Sequence, residues 1–105
     1  MELEIFWSQF AEDKLQDIFQ YYKLQAGIKT ARKMVEKIVD STLHLGENPR
    51  MGTTEELLKD REQEFRYLIS TNYKVIYYIN AETKRIVIAN VFDTRQNPKK
   101  VKETK

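Results

Sequence analysis

The sequence predicts an α+β fold: an N-terminal strand, an antiparallel helical hairpin, and then a three-stranded antiparallel meander. Three observations carry this. Apolar residues recur at helical spacing from Ala11 to Leu45, and the breakers Gly27, Gly46 and Pro49 fall at the ends of the two stripes so formed. Beyond them the period changes, and three segments between Glu64 and Asp93 are rich in Val, Ile, Tyr and Phe. A run of strands following a run of helices implies a sheet with its helices gathered on one face.

Glu2 to Trp7 alternates, placing Leu3, Ile5 and Trp7 on one face of a short strand expected beside the meander. Ser8 is the expected N-cap of the first helix, with Glu12 and Asp13 near the positive end of its dipole. Ala11, Leu15, Ile18 and Tyr22 form one stripe, which Phe19 widens. Gly27 breaks this helix. The next carries Ile28, Ala31, Val35, Ile38, Thr42 and Leu45, and Gly46 is expected as its left-handed C-cap, with Pro49 preventing resumption. So short a link implies an antiparallel hairpin. From Glu47 to Gln63 the chain reads as a polar loop with one helical turn near Leu57 and Leu58. The acids Glu55, Glu56, Asp60, Glu62 and Glu64 lack metal-ligand spacing and read as solvated.

Strands are expected over Glu64–Ser70, Tyr73–Asn80 and Arg85–Asp93, joined by the short loops Ser70-Thr71-Asn72 and Ala81-Glu82-Thr83-Lys84. Pairing Ile69 with Tyr73 and Asn80 with Arg85 puts Phe65, Tyr67, Ile69, Val75, Tyr77, Ile79, Ile86, Ile88 and Phe92 on the face beneath the helices. The opposite face then carries Arg66, Leu68, Lys74, Ile76, Tyr78, Val87, Ala89, Val91 and Asp93, continuing to Arg95. That face is too apolar for a solvated surface and reads as a partner site, the alternative being that the first strand's neighbourhood or the C-terminal tail folds over it. A slip of one residue would exchange the two sets.

At 105 residues the chain is expected to be one domain over 1–105. Its 41% hydrophobic and 32% charged residues are those of a folded, soluble protein. It has no cysteine, no apolar run of the roughly 20 residues that span a bilayer, and no basic, apolar leader pattern at its start. A cytoplasmic protein without membrane contact is expected. The net charge of +2 is uneven: a basic tail over 94–105 holds five basic residues and one acid, against 13 basic and 15 acidic residues over 1–93. Such a tail suggests an anionic partner, the alternative being a frayed terminus.

In these blocks the chain resembles the RelE/ParE toxins, in particular the ParE branch. The residues concerned are a strand ending in Trp7, the Ala11–Leu15–Ile18–Tyr22 helix, the Leu45…Asn48-Pro49-Arg50-Met51-Gly52 segment, the run Phe65–Ile79, and Ile86–Pro98. The resemblance implies the toxin of a type II toxin–antitoxin pair, forming a hetero-oligomer with a cognate antitoxin. ParE-like members inhibit DNA gyrase. RelE-like members are nucleases that cut mRNA on the ribosome, so the ribosome and mRNA are the alternative partners. A third possibility is an inactive toxin that serves only as corepressor with its antitoxin. Arg66 and Arg95 match the family's arginines at the start of the second-half sheet and after its last strand. The nuclease branch usually adds a histidine or tyrosine just after the latter; here Gln96, Asn97, Pro98, Lys99 and Lys100 follow.

Cleavage through a ribose hydroxyl needs a base, an acid and charge stabilisation. The one histidine, His44, falls off the apolar stripe and reads as a surface residue. If the chain were a nuclease, Arg66, Arg95 and Tyr78 would be its candidate catalytic residues. The favoured assignment is instead an antitoxin-binding face of Arg66, Leu68, Ile76, Tyr78, Val87 and Val91, and a target-binding set of Arg95, Lys99 and Lys100. No cofactor or metal is expected, since neither a phosphate-binding glycine loop nor a metal-ligand cluster is legible.

Overall fold

A computed structural model describes residues 2–105. Its elements run β1 (Glu4–Trp7), α1 (Gln9–Ala26), α2 (Ile28–Asp40), β2 (Thr53–Thr54), a 3₁₀ turn (Glu56–Leu58), β3 (Phe65–Ser70), β4 (Tyr73–Asn80), β5 (Arg85–Asp93) and a C-terminal 3₁₀ segment (Pro98–Glu103). The strands form one sheet in the order β1-β5-β4-β3-β2. The meander is as expected, but the sheet is mixed, because β1 lies parallel to β5 with Ile5 opposite Ile86 and Trp7 opposite Ile88. Parallel neighbours need a long crossover, and the helical hairpin lies within it.

Ser8 caps α1 as expected, its hydroxyl accepting from the Ala11 N–H (3.1 Å). Gly27, at φ +94°, serves both helices: its N–H donates to Lys23 O and its carbonyl accepts from Ala31 N–H, each at 3.1 Å. Helix α2 ends at Asp40, earlier than its apolar stripe suggested. There the hydroxyls of Ser41 and Thr42 donate to Ile38 O (2.6 Å) and Val39 O (2.7 Å), competing with the helical ladder. The stripe continues through tight turns, so Thr42 and Leu45 are still buried. Gly46 is not a left-handed cap. Its role is close approach: its carbonyl accepts from Leu3 N–H (3.0 Å), and a Cβ there would lie 2.6 Å from Leu3 O.

The register of β3 differs from expectation. Ser70, not Ile69, stands opposite Tyr73, so Thr71 and Asn72 alone form the loop. Every β3 side chain therefore changes face. Leu68 packs under the helices, Phe65 and Tyr67 pass to the other side, and Ile69 is 58% exposed. The β4/β5 hairpin begins in the expected register, with Asn80 opposite Arg85, but a bulge shifts it. Tyr77 faces Ile88 while Ile76 faces Asn90, leaving Ala89 extra. Past the bulge, Val91 turns toward the helices and Phe92 away from them.

Two cores result. Beneath the helices lie Ile18, Ile38, Leu45, Val75, Tyr77 and Ile88, among others. On the opposite face Phe65, Ile76, Ala89 and Phe92 are covered by Leu58 of the 3₁₀ turn and Val101 of the C-terminal segment. The tail is thus a structural cover. Arg61 donates to the carbonyls of Thr104 (2.6 Å) and Lys102 (2.7 Å), and buried Asn90 donates to Thr104 Oγ1 (2.9 Å). Nor is the whole acidic loop solvated: Glu55 is buried and pairs with Lys74 at 2.9 Å.

The observed register has a direct test in urea denaturation. Ile76→Ala should cost about 2–5 kcal/mol, as a filled core position does. Ile69→Ala should stay within about 0.5 kcal/mol, as at an exposed site. The reverse order would restore the sequence-based register.

Candidate functional site

Arg66 extends from β3 toward the segment over 49–52. Its guanidinium donates to Gly52 O (2.8 Å) and Arg50 O (3.4 Å) and pairs with Glu64 at 2.9 Å. Tyr77, opposite it on β4, donates to Pro49 O (2.8 Å) and accepts from Gly52 N–H (3.0 Å). A Cβ on Gly52 would lie 2.6 Å from that hydroxyl, so glycine is required by space. The Asn48–Gly52 block is therefore held by side chains of the sheet, and Arg66 is committed to holding it.

The six residues assigned to an open antitoxin face are not one surface. Leu68 and Val91 belong to the helix-side core, Ile76 is fully buried beneath the 3₁₀ cover, and Val87 is 8% exposed. Tyr78 packs edge-to-face on Phe65, with ring centroids 5.1 Å apart. Arg66 lies on the helix side of β3, away from Tyr78. The slipped register, the bulge and the folded tail together remove the patch. The candidate nuclease set does not converge either. Arg66 stands opposite Tyr77, whereas Asp93 stands opposite Tyr73. That separates Arg66 from the end of β5 by roughly 13 Å along the strands and roughly 10 Å across them. His44 is exposed, as expected.

Arg95 is exposed and grips Asp93, Nε to Oδ1 at 3.0 Å and Nη2 to Oδ2 at 2.9 Å. These bonds hold the Asp93 carboxyl below its usual range. Lys99 and Lys100 are exposed on the C-terminal segment. Arg95 borders a cleft of about 350 Å³ between α1 and the ends of β4 and β5, shared with Lys14, Asp17, Tyr21, Tyr73 and Asp93.

A larger groove, about 540 Å³, runs along β1 between the helices, lined by Ile5, Trp7, Leu15, Phe19, Val35 and Val39. Phe6 at its edge is 46% exposed. β1 is also an edge strand. Glu4 and Ser8 donate their N–H groups to Lys84 O (3.2 Å) and Ile88 O (2.9 Å). By alternation Ile5 and Trp7 direct theirs to the free edge. Sequence reasoning missed this groove because its residues sit on three elements. The available signal was that Phe19, Val35 and Val39 widen their stripes beyond what one sheet face covers. Among the described residues no His, Cys, Asp and Glu cluster could hold a metal ion, and no helix is long and apolar enough to cross a membrane.

Burial raises the phenols of Tyr73 and Tyr77 above their ordinary value, and the bond to Tyr22 raises Tyr73 further. The folded chain therefore keeps protons that the unfolded chain releases near pH 10. This stability is fully present below about pH 10 and is lost as pH rises through the folded values. The melting temperature should fall above about pH 10, and Tyr73→Phe with Tyr77→Phe should flatten that fall. An alkaline slope unchanged in the double variant would remove these phenols as its cause.

Comparison with known proteins bears on the whole chain. No protein of curated function matches it in sequence. The chromosomal ParDE toxin–antitoxin system from P. aeruginosa contains a chain of similar structure (TM-score 0.72, 19% identity, 88% of this chain and 96% of that one). So does the RelBE2 toxin–antitoxin complex from Mycobacterium tuberculosis (0.62, 17%, 89% and 99%). A free double arginine-to-alanine mutant of E. coli toxin RelE also matches (0.56, 16%, 89% and 84%). At these identities the likeness establishes the fold. Residues 5–98, most of the chain, match the model of one family, and the chain belongs to that family, the ParE toxins of type II toxin–antitoxin systems, parDE.

Proposed function

We propose that this toxin arrests growth by binding DNA gyrase and that its cognate antitoxin silences it by occupying the groove beside β1. The observation that carries the first part is the failure of Arg66, Tyr78 and Arg95 to converge. A nuclease needs proton-transferring groups within hydrogen-bond reach of one scissile phosphate. Here Arg66 is committed to the 49–52 segment, Tyr78 lies across the sheet from it, and Arg95 lies beyond the far end of β5. An inhibitor needs only complementary shape and charge. Arg95, Lys99 and Lys100, all exposed, supply a basic surface for that purpose.

With gyrase and relaxed plasmid, the purified chain should inhibit supercoiling. Translating ribosomes incubated with it should yield no codon-positioned mRNA cuts. Such cuts, abolished by Arg95→Ala, would replace the gyrase reading with the nuclease one.

The antitoxin assignment moves from the sheet face to the groove because that face is closed by the protein's own 3₁₀ elements. The groove offers apolar walls and a free strand edge together, which suits a segment that pairs with β1 and buries its apolar side chains between the helices. Such coupled-folding interfaces bury on the order of 1,000 Å² or more. Phe6→Asp should weaken the complex with the antitoxin at least tenfold while leaving the melting temperature of the free chain unchanged. An unaffected complex, with binding lost instead in Ile69→Asp, would place the antitoxin on the β3 side.

A further inference from the structure

Residues 23–30, which form the turn of the helical hairpin, are all exposed. Yet they include Leu24, 83% exposed, and Ile28, 44% exposed, with Tyr21 at 51% one turn earlier. Neither core accounts for these apolar residues, since the buried residues of the two helices nearest the turn are Ile18 and Ala31. The groove beside β1 does not account for them either, because α1 lines it with Leu15, Gln16 and Phe19. The surrounding charge has one sign: from Ile18 to Val35 the chain carries Lys23, Lys29, Arg32 and Lys33 and no acid.

Helical spacing connects this tip to the basic C-terminal region. Lys14, Asp17 and Tyr21 form the α1 wall of the cleft that Arg95 borders. Leu24, three residues beyond Tyr21, falls on the same helix face. One surface therefore runs from Arg95 along α1 to the hairpin turn, apolar at its far end and flanked there by cations.

We propose that the hairpin tip anchors the target-binding surface: Leu24 and Tyr21 enter an apolar recess of a protein partner whose rim is acidic. Lys23, Lys29 and Lys33 face that rim, with Arg95 at the other end of the surface. This rests on the target-binding reading above and adds where the target is held. The cations at the hairpin turn favour an anionic partner there. The cations and Tyr21 would also suit nucleic acid, but Leu24, the most exposed apolar residue at 83%, neither stacks on bases nor pairs with phosphates and gains only from an apolar recess. Three apolar residues make a small patch for a lipid surface, where affinity grows with buried apolar area. In a protein recess, by contrast, one or two central side chains can dominate the energy.

Binding of the full chain to purified gyrase tests this by interferometry, beside Leu24→Asp and the double variant Lys29→Glu/Lys33→Glu. Both changes are at exposed positions, and thermal melts overlaying the parent's would show the fold intact. Each variant should lose at least tenfold in affinity and in supercoiling inhibition, while keeping its antitoxin complex. If the parent binds gyrase and both variants bind equally well, the anchoring role is overturned and the gyrase reading stands. If the parent does not bind gyrase, both fall. Binding to phosphatidylglycerol vesicles or duplex DNA that Leu24→Asp abolishes, with gyrase binding untouched, would overturn the protein partner in favour of those ligands.

Discussion

Strand β5 must be covered on both faces, and much of the fold follows from that. Seven consecutive residues, Ile86 to Phe92, are buried, and β5 lies inside the sheet between β1 and β4. A strand whose alternate side chains are all withdrawn from water needs a layer on each side. The helices supply one. The other comes from Leu58 and Val101, on two short 3₁₀ elements from distant parts of the sequence. The bulge at Ala89 belongs to the same requirement, since it carries Val91 to the helix side and Phe92 to the other, so both layers receive a large side chain.

Closing both faces moves recognition to what is left over. In an open-faced sheet the apolar surface would itself be the partner site. Here it is occupied, Arg61 and Asn90 fasten its cover, and apolar surface is left free at the β1 edge and along the helical hairpin, besides single residues such as Leu43, Met51 and Ile69. The edge strand directs backbone groups outward, and the turn of the hairpin, residues 23–30, is exposed throughout. These two surfaces lie on different sides of α1, the groove side carrying Leu15 and Phe19 and the other Lys14, Asp17 and Tyr21.

Much of the architecture was legible because it follows from residue type at fixed spacing. Ser8, Gly27 and the apolar stripes place both helices, and the β-rich segments place β3 to β5. Two misreadings had physical causes. Thr71 adopts φ +54° in the two-residue loop, a conformation usually given to glycine. A β-branched residue gave no sign that the loop was so tight, and the register slipped by one. The other misreading was to treat Ile86–Phe92 as alternating. An almost uninterrupted apolar run signals a strand buried on both faces, and Val101, alone among lysines, was its available cover. The site was less legible than the fold, because grooves and clefts join elements that are far apart in sequence.

Arg66 and Arg95 show why family position alone does not assign a role. Of the two arginines that the resemblance singles out, Arg66 has a side chain only 17% exposed and bonded to carbonyls and a carboxylate, while Arg95 stands in solvent paired to a neighbouring aspartate. The same fold is shared with chains of the ParDE system and the RelBE2 toxin–antitoxin complex, and with the toxin RelE. A scaffold common to different activities leaves function to the side chains it presents. Catalysis demands that several groups meet within a few ångströms, and Arg66 and Arg95 stand at opposite ends of the sheet. Inhibition by binding makes no such demand, because its energy is summed over a surface. The closed sheet and the exposed basic hairpin are the features on which the proposal of an inhibitor that grips another protein rests.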